Sequence, residues 1–121
     1  MNKAAAGRAS EGLAEAHLRS LGYGILARNY RCRYGEVDLV AREGGTLVFV
    51  EVRGRSGRSH GTPEESVTVR KQQHLWRVAQ HYLQRVRGPV PECRFDVVAV
   101  DSAQTGGTEL RLIRDAFRGG A

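Results

Sequence analysis

The sequence predicts a single α/β domain in which helices flank a mixed central sheet, and three observations carry that expectation. Apolar runs of strand length and two longer segments of helical periodicity follow one another in the order α-β-β-β-α-β-β. Gly44-Gly45 separates the second and third strand-like runs, a two-residue hairpin signal. A helical crossover then leads from this three-stranded meander to a fourth strand, which implies a mixed sheet with helices packed on it. At 121 residues the chain is long enough for one core and too short for two.

The first helix is predicted over residues 4–21, where Leu13, Ala14, His17, Leu18 and Leu21 form one stripe and Gly22 supplies the stop. Glu11 and Glu15 are four apart and share a face beside that stripe. Strands are predicted over residues 23–29, 34–42 and 46–53, with the basic stretch YRCR joining the first two. A Gly/Ser/Arg loop at 54–63 precedes Thr62-Pro63-Glu64-Glu65, which reads as a capping box with proline at the first helical position. The second helix is clearest from Val69 to Val86, where Leu75, Val78, Ala79, Tyr82, Leu83 and Val86 make an apolar stripe ended by Gly88-Pro89. Trp76 and Tyr82 read as packing residues rather than base-stacking ones. RFDVVAV at 94–100 is a buried strand and ELRLI at 109–113 a weaker one.

Composition narrows the function classes. No run of about 18 apolar residues offers a membrane span. The N-terminus MNKAAAGRASEG also lacks the apolar core of a secretory signal, so the expected location is the cytoplasm. Cys32 and Cys93 belong to no CxxC pair, and His74 and His81 are not at zinc spacing. Nineteen basic residues against thirteen acidic ones leave a net charge of +6, the balance of a candidate polyanion binder. Only Lys3 and Lys71 among the basic residues are lysine.

The stretch GEVDLVAREGGTLVFVEVRGR places three acids, Glu36, Asp38 and Glu51, in the most strand-like part of the chain. If Gly44-Gly45 are the turn residues, Glu43 faces Thr46, Asp38 faces Glu51 and Glu36 faces Arg53. Directly opposed side chains share a face, with Cβ atoms roughly 5 Å apart, and like charges so placed repel. Leu47 and Phe49 precede Glu51 on its face, which argues against a solvated site. Either one carboxyl holds a proton, or a hard divalent cation sits between the two.

Asp38 followed after a hairpin by Glu51-Val52-Arg53 resembles the PD-(D/E)xK nuclease signature. More closely, GEVDLVA, LVFVEVRGR, the spacing to Lys71 and the later RFDVVAV resemble the YraN-type family of small bacterial proteins, similar to archaeal Holliday-junction resolvases. The resemblance runs from about Gly7 to Asp101 and implies a restriction-endonuclease-like αβββαβ core and metal-dependent hydrolysis of DNA, on branched or flapped structures by family analogy. It implies that Asp38, Glu51 and the Val52 carbonyl hold Mg²⁺ or Mn²⁺, and that Glu11 occupies the place of a first-helix glutamate that related resolvases use. Related resolvases act as dimers, so a homodimer is implied as well; a nuclease-fold module that binds without cutting is the rival expectation, serving a helicase or recombination partner.

One departure bears on the chemistry. The signature lysine is Arg53 here, and arginine does not lose its proton in a protein. Three alternatives stay open: Arg53 acts as an electrostatic element alone, Lys71 supplies the ammonium from the following helix, or the protein binds nucleic acid without cutting it. Backbone contacts to DNA are expected from Arg31, Arg33, Arg55, Arg58 and Arg70, besides Arg53.

Overall fold

The computed structural model describes residues 3–56, 61–103 and 106–118. The elements follow the expected order: α1 (Lys3–Ser20), β1 (Gly24–Cys32), β2 (Gly35–Glu43), β3 (Thr46–Ser56), α2 (Val69–Leu83), β4 (Glu92–Ser102) and β5 (Thr108–Phe117), with one 3-10 turn at Glu64–Ser66. The five strands lie side by side in sequence order. β3 and β4 pair parallel and the other neighbours antiparallel, so the sheet is mixed and the core restriction-endonuclease-like.

β3 and β4 read as unbroken apolar runs because both of their faces are covered. Leu47, Phe49, Phe95 and Val97 pack against Leu75, Val78 and Ala79 of α2. The alternate residues Val48, Val50, Val98 and Val100 pack against Ala14 and Leu18 of α1 and against Tyr23. A strand's period of two thus feeds two cores from one stretch of sequence. The α1 stripe is narrower than its sequence suggests: Ala14 and Leu18 are fully buried, whereas Leu13 and Leu21 are exposed. Where α1 crosses β3, a Cβ on Gly54 would stand 2.6 Å from Ser10 Oγ, so a glycine permits that close approach.

Several boundaries differ from the predicted ones; α2 stops at Leu83, β4 and β5 run longer at both ends, and three further differences have a clear physical reason. β1 continues through YRC to Cys32, because its partner β2 offers backbone groups as far as Gly35. β3 continues to Ser56 because β4 stays paired with it to Ser102. Thr62 caps only the 3-10 turn, accepting from Glu65 N at 3.2 Å, and α2 has its own cap in Thr68, which accepts from Lys71 N at 3.2 Å. Trp76 and Tyr82 are packing residues, partly buried against the α2 core.

Asp96 is fully buried, pointing to the α1 side of β4. Arg94 donates to both its oxygens (2.8 and 3.0 Å), Tyr23 Oη donates at 2.8 Å and Asp115 N at 3.0 Å. The same guanidinium reaches Glu43, which also receives Arg114. Burial and Asp96 together push the Tyr23 hydroxyl well above its ordinary range, keeping it a donor. This network ties the end of α1 to the far strands, with no part in the site below.

Candidate active site

The β2–β3 hairpin has the register the turn predicts, from Glu43↔Thr46 through Leu39↔Val50. Beyond that pair the paired ladder stops, while β3 follows β4 with Glu51↔Val97 and Val52↔Val98. Asp38 stands at the resulting split. Its carboxylate accepts from Val52 N at 2.8 Å, taking the place of a backbone acceptor. The Val52 carbonyl faces the same gap, because one strand residue directs both backbone groups at one neighbour. The expected pairing of Glu36 with Arg53 does not form. Arg53 lies opposite Ala99 of β4, and Glu36 is ion-paired with Arg31 of β1 instead, because the strands have already separated at that height.

Glu51 is 5% exposed. Burial first, and then Asp38 within hydrogen-bonding reach, push its carboxyl up to about 8. Two cations converge on the same oxygen: Arg53 Nη2 lies 3.3 Å and Lys71 Nζ 3.7 Å from Glu51 Oε2. The lysine arrives from the first turn of α2, so an ammonium stands at this carboxylate although the strand position itself holds arginine. Arg53 Nε is buried and has no hydrogen-bond partner among the described residues.

Glu11, on α1, approaches Asp38 from the other side, and its carboxyl is raised by burial and then by Asp38. Asn29 of β1 holds this corner together: with its amide nitrogen facing the acids it donates to Glu11 (2.9 Å) and Glu36 (3.3 Å). Asn29 has φ +50°, a conformation that asparagine tolerates better than most residues, and an Asn inside a strand was the available sign of it. Sequence reasoning did not single it out.

The structure therefore brings Glu11, Asp38, Glu51, Val52, Arg53 and Lys71 to one corner of the sheet. Among the described residues no three His, Cys, Asp or Glu side chains form a ready-made ion cage. Asp38 is instead the shared neighbour of Glu11 and Glu51. A carboxylate pair with a strand carbonyl is an all-oxygen donor set, as Mg²⁺ takes when waters and substrate phosphate complete its shell. The burial of Glu51 beside Asp38 fits that group, since a cation would relieve the cost that holds the proton on.

The arginines divide. Arg31 and Arg33 are exposed at the end of β1 and in the following turn, and Arg70 is exposed at the start of α2. Arg55 is removed from the expected nucleic-acid contacts: its side chain, 8% exposed, is bidentate to Asp101 at 2.7 and 3.1 Å and donates to Gly61 O. Strand alternation beyond the predicted end of β3 turns it to Asp101 of β4. Arg58 lies outside the described residues.

The sequence model of the Uncharacterised protein family UPF0102 matches residues 10–100, which takes in every residue of this corner. The chain belongs to the UPF0102 family. This is the YraN-type family that the sequence resembles. A UPF0102 protein of Symbiobacterium thermophilum is 51% identical over 111 residues, covering 92% of this chain and 94% of its own length. UPF0102 proteins of Caldicellulosiruptor saccharolyticus and Lachnoclostridium phytofermentans are 44% and 48% identical over 118 residues, each covering 97% of this chain and 100% and 96% of their own. No helix among the described residues is long and apolar enough to cross a membrane.

Proposed function

We propose that this UPF0102 protein is a divalent-metal-dependent endonuclease that hydrolyses phosphodiester bonds of DNA. The observation that carries the proposal is the meeting of Asp38, Glu51 and the Lys71 ammonium where β2 and β3 part. Asp38, Glu51 and the Val52 carbonyl are the groups to hold Mg²⁺ or Mn²⁺, with Glu11 beside them. When bound, the ion polarises the scissile phosphate and lowers the pKa of water.

The chain's own groups supply the rest. Lys71 is 38% exposed, so its ammonium faces both Glu51 and an incoming phosphate, where it offsets negative charge accumulating in the transition state. A lysine can also give up and regain a proton, which Arg53 cannot. Arg53 is a fixed, partly exposed cation beside Glu51, and its guanidinium offers donors to a phosphate oxygen. Asp38 uses one oxygen to hold Val52 N–H in place, which keeps β3 at a fixed distance.

Arg53 at the signature lysine supports a second reading, a nuclease fold that binds DNA without cutting it. Nicking of plasmid and branched DNA with Mg²⁺ or Mn²⁺ separates the two. The nuclease predicts cutting by wild type and none by Asp38→Asn, whose amide oxygen still accepts from Val52 N–H. The binding module predicts salt-sensitive binding with no cutting under either metal.

A further inference from the structure

The β1–β2 turn, Arg33-Tyr34, leans against the C-terminal half of α2 and encloses a groove of about 380 Å³. Its lining is Arg31, Cys32, Arg33, Tyr34, His81 and Gln84, with no acid among them. The groove is separate from the carboxylate corner but close to it. Arg31 pairs across the strands with Glu36, two residues from Asp38, or roughly 7 Å along β2.

Its chemistry is that of hydrogen-bond donors around an aromatic ring. Arg33 Cζ lies 4.9 Å from the centre of the Tyr34 ring, and its Nη2 donates to the Tyr34 hydroxyl at 2.8 Å. The Tyr34 and His81 rings meet edge to face at 6.4 Å. His81 Nδ1 is engaged by the Tyr30 hydroxyl at 2.6 Å, which fixes the imidazole and leaves Nε2 as its remaining polar atom. Among the described residues Arg31 is held by one exposed ion pair, with Glu36, which contributes little and yields readily to a phosphate. A half-buried phenol beside a guanidinium is a platform for a planar base, and the surrounding cations and amide match the phosphate attached to it. A base inside a duplex is already stacked on its neighbours and cannot take this place.

We propose that this groove is a nucleotide subsite for single-stranded DNA flanking the cleaved bond, in which Tyr34 stacks an unpaired base while Arg33, His81 and Gln84 donate to its phosphate. It rests on the DNA reading above and adds to it a preference for substrates with an unpaired strand next to the carboxylate corner.

The test is fluorescence anisotropy of labelled oligothymidylate and of a blunt duplex, in EDTA so that no cutting intervenes. Tyr34→Ala is expected to weaken oligothymidylate binding by about 10-fold. Tyr34→Phe, which keeps the ring, is expected to bind as wild type does. Arg33→Ala, at an exposed turn position, is expected to weaken binding several-fold and to reduce its salt dependence by about one charge. Duplex binding is expected to be unchanged by Tyr34→Ala, which also shows that this variant is folded. Unchanged oligothymidylate binding in both Tyr34→Ala and Arg33→Ala overturns the proposal, as does equal loss on single strand and duplex by Tyr34→Ala. A wild type that cuts no DNA but shows the Tyr34 effect refutes the nuclease reading and leaves the subsite standing. A wild type that binds no oligothymidylate at low salt refutes the subsite.

Discussion

Replacing Glu51 by glutamine keeps its shape and removes its charge, and the consequence depends on pH. In the unfolded chain a glutamate ionises near 4.5, whereas burial and Asp38 hold the folded Glu51 proton to about 8. Between those values the native state binds the extra proton, so stability is full below the unfolded pKa and declines as pH rises towards the folded one. The slope is about 1.4 kcal/mol per pH unit, which from pH 5 to pH 8 amounts to on the order of 4 kcal/mol. Glu51→Gln does not titrate. It is expected to match wild type near pH 5 and to exceed it at pH 8, by roughly 15 °C in melting temperature for a domain of this size. The lost ion pairs with Lys71 and Arg53 act the other way and are small, because both cations are partly exposed. Thermal melts across pH, with EDTA and then with Mg²⁺ or Mn²⁺, provide the assay. A saturating divalent cation is expected to stabilise wild type at pH 8 by about 2.7 kcal/mol at a hundredfold excess over Kd, and to leave Glu51→Gln unchanged. A constant difference between the two proteins at every pH refutes the buried acid, and equal stabilisation of both by the cation refutes a metal at Glu51.

Lys71→Ala is expected to lower the metal-dependent nicking rate about 100-fold, because it removes the ammonium 3.7 Å from Glu51, while Lys71→Arg, with a planar guanidinium in place of a compact point charge, does not restore it. A single-turnover nicking assay checks this, and full activity in Lys71→Ala returns the signature role to Arg53. Asp96→Ala removes the acceptor of Arg94 Nε, the Tyr23 hydroxyl and Asp115 N, so chemical denaturation is expected to show a loss of about 3–5 kcal/mol. Gly54→Ala pushes against Ser10 and is expected to cost about 1–3 kcal/mol, largely recovered in the Ser10→Ala, Gly54→Ala double variant; equal melting temperatures for wild type and Gly54→Ala refute that contact.

The hairpin register was legible because Gly44-Gly45 permits one turn, and that turn sends Asp38 and Glu51 towards each other. What strand periodicity cannot express is a ladder that ends. Glu36 and Arg53 continue the same count of residues, yet they part because β3 stays with β4 while β2 stays with β1. Arg55 shows the same limit: its burial follows from a β4 carboxylate 46 residues away. Tyr34 looks ordinary in sequence and Asn29 stands out there only as an asparagine within a strand; their neighbours in space, His81 and Glu11, give them work.

Local chemistry alone therefore settled the element order, the hairpin, the two covered faces of β3 and β4, and the identity of the paired acids. Each of these depends on periodicity, turn geometry or charge within a few residues. The tertiary structure alone decided which cation reaches Glu51, where β2 and β3 divide, and which arginines remain exposed. Those outcomes depend on segments far apart in the chain, and no short-range pattern encodes how far a side chain on α2 reaches towards β3.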